Sequence, residues 1–108
     1  MYCDDKPNTL EKRNLNNRYY YIVRFNINFD SNIGMWKYDE VKLPYGKPNY
    51  EAIVNELVTF KYPVDKMQAV INNYLLDGDD PSIKDEFKQM QDWRKFSKEY
   101  AKEIINNF

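Results

Sequence analysis

The chain has no histidine, a single cysteine (Cys3) and only three glycines in 108 residues. Without histidine, the commonest general base and a frequent metal ligand are both missing. One thiol excludes an intramolecular disulfide framework, and with no imidazole it also argues against a structural zinc site. No apolar run approaches the roughly 20 residues of a membrane span, and no stretch has the short apolar core of a signal peptide. Charge of one sign is lacking too: 16 basic residues face 17 acidic ones. The chain therefore has no broad positive field to draw in nucleic acid or anionic lipid. These absences together set the expectation of a cytoplasmic protein.

Aromatic residues are plentiful, with ten Tyr, six Phe and two Trp. Buried rings remove large apolar areas from water, so the chain can build one core of domain size. Residues 1–17 are polar and aperiodic, and are expected to form a flexible N-terminal arm, leaving 18–108 as a single domain. From Arg18 to Phe29, Tyr19, Tyr21, Val23, Phe25, Ile27 and Phe29 alternate with a more polar set, the period of a half-buried strand. Asp30-Ser31-Asn32-Ile33-Gly34 is turn chemistry. Met35 to Leu43 returns as a second strand, in which Trp36 and Tyr38 share one parity and Val41 and Leu43 the other. A β-bulge near Asp39-Glu40 would reconcile the two. An isolated hairpin is marginal, so the helices must cover it, or a third strand must come from the arm or a partner.

Three helices follow. Asn49 is placed to cap the first, whose stripe is Tyr50, Ile53, Val54, Leu57 and Val58. Pro63 opens the second, with Met67, Val70, Ile71, Tyr74 and Leu75 inward and Gly78 as a left-handed cap. The third starts at Ser82 in a capping box with Asp85, or at Asp80 ahead of Pro81. Its stripe is Ile83, Phe87, Met90, Ser97, Ala101, Ile104 and Phe108. The expected fold is α+β: an antiparallel hairpin over about 18–43 packed on helices over about 49–61, 64–77 and 82–107.

No residue pattern assigns a catalytic centre, a cofactor or a metal. Counting a calcium loop from Asp77 puts Pro81, Ser82 and Lys88 where ligands and the turn glycine belong, so Asp77-Gly78-Asp79-Asp80 reads as a helix stop and cap. Asp39-Glu40 are strand neighbours and point to opposite faces. Two surfaces remain as binding candidates. Trp93, Phe96 and Tyr100, beside Lys95 and Lys98, give the last helix more rings than a core side needs, and suit a protein partner or self-association. Arg18, Tyr20 and Arg24 form the alternative, a strand that stacks bases and meets phosphates of single-stranded nucleic acid. Overall charge disfavours the second. The expected function is a non-enzymatic protein-binding module.

Two resemblances add to this. Cys3-Asp4-Asp5-Lys6 is similar to the mature start of a bacterial lipoprotein, a second localisation. Tyr38-Asp39-Glu40-Val41, Tyr50-Glu51-Ala52-Ile53-Val54, Lys61-Tyr62-Pro63 and Met67 to Leu75 resemble small uncharacterised proteins of Bacteroidales genomes, often prophage-linked. Glu86 to Arg94, with Lys98 and Ala101-Lys102, resembles the same group and also the helical ends of phage tail-fibre assembly proteins. The resemblance covers residues 18–108 and implies a phage-related accessory or assembly role, with no catalytic residues to carry over.

Overall fold

A computed structural model describes all 108 residues. The chain is α+β, with four strands followed by three helices: β1 (Tyr2–Cys3), β2 (Leu10–Leu15), β3 (Arg18–Asp30), β4 (Met35–Tyr45), α1 (Tyr50–Lys61), α2 (Val64–Asp77) and α3 (Pro81–Asn106). The strands form one antiparallel sheet in the order β1-β4-β3-β2. The expected hairpin is thus the centre of a larger sheet, and residues 1–17 supply both of its edges.

β2 and β3 are joined by Asn16 and Asn17, both in the left-handed region at φ 51° and 63°. Two such residues in succession match the twist of a two-residue hairpin turn, and asparagine tolerates that conformation better than most residues. Between β1 and β2, residues 4–9 cross from one edge of the sheet to the other. Six extended residues reach about 20 Å, enough for the roughly 14 Å of three strand spacings. The crossing lies on the face without helices. There the Asn8 carbonyl accepts from Arg24 Nη1 at 3.3 Å, and Lys6 Nζ sits 5.6 Å from the Trp36 ring centre.

The helix-bearing face holds the core. Val23 and Phe25 of β3, with Val41 and Leu43 of β4, pack on Ile53 and Leu57 of α1 and on Ala101 and Ile104 of α3. A smaller cluster, Tyr62, Val70 and Met90, joins α2 to α3. Tyr74 stacks on Phe87 across the same pair, ring centres 4.0 Å apart. Asn49 caps α1, its Oδ1 accepting from Ala52 N at 2.8 Å.

Several sequence expectations need correction. The bulge is on β3: Phe25 pairs with Asp39 and Asn28 with Lys37, so two residues oppose one, and Asn26 takes φ 53°. Beyond it the side-chain parity of β3 inverts, which carries Phe29 onto Trp36 on the helix-free face, 51% exposed. Trp36 and Tyr38 need no bulge in β4, because they belong to that second face. Of the two starts the sequence offers for α3, the structure takes Pro81 with Asp80 as its cap: Asp80 Oδ1 accepts from the backbone of Ser82 and Ile83, and from the Ser82 hydroxyl. Gly78 is right-handed at φ −67°. Its need for glycine is steric, since a Cβ there would stand 2.7 Å from the Tyr74 carbonyl oxygen. Leu75 does not join the inward stripe of α2; it faces solvent.

Candidate functional site

The aromatic strip of α3 is built into the fold. Trp93 donates from Nε1 to the Leu57 carbonyl at 2.8 Å, and Tyr100 donates its hydroxyl to the Arg24 carbonyl at 2.6 Å. Phe96 fills the space between them, 5.0 Å from the Trp93 ring and 5.3 Å from that of Tyr100. All three rings are half-buried. Burial, with a smaller push from Glu103, raises the Tyr100 pKa to about 12. The polar atoms of Trp93 and Tyr100 are spent inside the molecule, so the strip expected to meet a partner clasps α3 to α1 and the sheet. What it leaves open is one shallow groove of Lys61, Gln89, Asp92, Trp93 and Phe96. Lys95 and Lys98 are exposed beside it.

On the helix-free face, strand alternation places Arg18, Tyr20 and Arg24 together. Their environments differ. Arg24 is 8% exposed, on the half of the face crossed by residues 4–9. Its Nε meets Glu40 Oε1 at 3.1 Å, its Nη2 meets Glu11 Oε2 at 2.7 Å, and its guanidinium lies 5.3 Å from the Tyr38 ring centre. Burial alone works against this charge, but Glu11, through its hydrogen bond and its attraction, and Glu40 outweigh it and raise the Arg24 pKa. Glu11 in turn is held below the usual carboxylate range by the Arg24 hydrogen bond and then by that of Arg13. Arg24 is therefore a buried structural cation, unable to meet a ligand.

Arg18 and Tyr20 lie at the uncovered end of the same face, with two residues that the sequence did not single out. The Tyr20 and Tyr45 rings are 6.0 Å apart at 84°. Lys42 Nζ is 4.4 Å from the Tyr20 ring centre and 5.2 Å from that of Tyr45, and the Arg18 guanidinium is 5.3 Å from Tyr45. The bulge that brings Tyr45 opposite Tyr20, while Lys42 pairs with Ile22, could not be counted from sequence spacing.

The outer face of α2 is a third surface, also missed. Leu75 and Leu76 are 75% and 86% exposed, and Val64 is exposed one flank along. Between Lys66 and Asp77 the helix carries no charged residue. Its solvent side there is Gln68, Ala69, Asn72, Asn73, Leu75 and Leu76. The signal was available as ten uncharged residues in a chain that is 31% charged.

At the remaining positions singled out in the sequence, Asp80 is committed to capping α3, and the Cys3 thiol on β1 donates to the Asp5 carbonyl at 2.9 Å. No group of three or more acidic or thiol side chains is arranged to hold a metal ion, and no helix is long and apolar enough to cross a membrane. Compared with protein-family models, with curated proteins and with solved structures, the chain gives no match.

Proposed function

We propose that this is a non-enzymatic binding module that docks a protein partner along the outer face of α2. The observation that carries the reading is the uncharged surface around Leu75 and Leu76. Two neighbouring leucines held in water by an ordered helix are an unfavourable use of apolar area, unless something covers them. Depletion of charge is the compositional mark of an interface centre. α2 itself buries only Val70 fully, so its inward packing does not require the outward leucines. The resemblance to prophage-linked and tail-fibre assembly proteins extends the proposal to a partner from a phage particle or its assembly apparatus.

The test is site-specific photo-crosslinking in cells that naturally make the chain. A photoreactive residue at Leu75 or Leu76 is expected to give one discrete adduct that the same residue at Lys84 does not. An adduct of twice the chain mass would make the partner a second copy. Equal labelling from all three positions, or none from the leucines, sinks the reading.

A further inference from the structure

We propose that the uncovered end of the helix-free sheet face binds single-stranded nucleic acid, with Tyr20 and Tyr45 as the stacking platform and Arg18 and Lys42 as the phosphate contacts. The site is independent of the α2 surface, because the helices cover the opposite face of the sheet.

The argument rests on which cations of this face are already matched. Arg24 and Arg13 have carboxylate partners in Glu11 and Glu40. Arg18 and Lys42 have none; no carboxylate lies within 4.0 Å of either. Their resting contacts are the faces of Tyr20 and Tyr45. An exposed cation–ring contact is worth only about 0.5–1 kcal/mol, so a phosphate can draw either cation away at small cost and leave a ring face open to a base. The excess positive charge is local, which reconciles the site with the net charge of −1.

The surroundings fit an extended strand. A shallow groove of Asn17, Arg18, Tyr19, Tyr45 and Gly46 leads off from the rings past the β2–β3 turn. Residues 4–9 occupy the other half of the face, so the footprint is confined to a few nucleotides. Both named ring contacts offer a π-face, so recognition tolerates any sequence. A duplex presents its bases edge-on inside the stack and gives the rings nothing to hold.

The test measures fluorescence anisotropy of labelled oligothymidylate and oligouridylate of about ten nucleotides, a length within the usual footprint of such sites, against the full chain. Saturable binding at low salt is expected. Its logarithm should fall against log salt with a slope of about −1.4, two phosphates at about −0.7 each. Tyr45→Ala should weaken binding by about tenfold, and Tyr45→Phe should retain it. Arg18→Ala and Lys42→Ala should each reduce the slope by about 0.7. Lys95→Ala with Lys98→Ala, on α3, should change nothing. Circular dichroism establishes that each variant is folded, and if Tyr45→Ala is not, the Lys42→Ala slope decides. Preference for either oligonucleotide, or for neither, supports the site and states its sugar selectivity. No saturable binding at low salt, a folded Tyr45→Ala that binds like the parent, tighter binding of a duplex, or equal weakening by the α3 lysine variant overturns it.

Discussion

The Tyr100 hydroxyl donates a 2.6 Å hydrogen bond to the carbonyl of Arg24, tying the last helix to the central strand. The two residues act on opposite sides of the sheet. On one, the Tyr100 ring stacks on Phe96; on the other, the Arg24 guanidinium gathers Glu11 and Glu40. One strand position therefore anchors α3, β2 and β4, and several measurable effects radiate from it.

Tyr100→Phe is expected to cost about 1 kcal/mol at neutral pH in urea unfolding, the usual value of one hydrogen bond. The pH dependence is more specific. Tyr100 has a folded pKa of about 12 against an ordinary 10.0. Its contribution is complete below the unfolded value and is lost as pH rises from 10 towards 12. The parent should lose stability across that window, and Tyr100→Phe should lose less.

Arg24→Met should be more damaging, about 3 kcal/mol, because it leaves Glu40 largely buried without its partner. A thermodynamic cycle with Glu40→Gln should show strong coupling, and additive costs would contradict the pairing.

The acid side follows from Glu11. Its folded pKa is depressed below the ordinary 4.5 by Arg24 and Arg13. A depressed carboxylate stabilises the fold above the unfolded pKa and loses that contribution as pH falls through the folded value. Stability of the parent should decline below about pH 4.5, with a shallower decline in Glu11→Gln; parallel acid curves would show that the pair contributes nothing.

Phe25→Ala should cost about 3–5 kcal/mol, since the ring is fully buried between Phe60 and Trp93. By contrast, Leu76→Lys should shift stability by less than about 0.5 kcal/mol, the range of surface changes. Denaturant midpoints of the two variants distinguish core from surface directly.

The three helices were legible because their end signals are local: Asn49, Pro63 and Pro81 each act within one turn of the chain. The core parity of Val23 and Phe25 was legible for the same reason, as adjacent alternation. The edges of the sheet were not, because β2 is marked by its two-residue Asn16-Asn17 turn, and two successive asparagines signal a hairpin less plainly than Asn-Gly does. The Asn26 bulge was hidden likewise, and with it the position of Phe29. The site fared less evenly. Arg18 and Tyr20 could be placed by parity, whereas Tyr45 and Lys42 depend on a register shift at Leu43-Pro44 that only pairing reveals. The α3 rings are not surplus to the core, and a count of rings does not show that Trp93 and Tyr100 find backbone carbonyls 36 and 76 residues away.

The crossing of residues 4–9 gives the N-terminus control over how the sheet ends. Both outer strands come from one short segment, tied down by Arg24 and by the carbonyls of Asn8 and Thr9. Peeling that segment away would bare β4 on one side and the 13 residues of β3 on the other. A unit with one free margin stops at a pair, but a unit with two can add neighbours in both directions without limit. Residues 1–15 thus put the two residues of β1 and the six of β2 at margins that the 11 of β4 and the 13 of β3 would otherwise present.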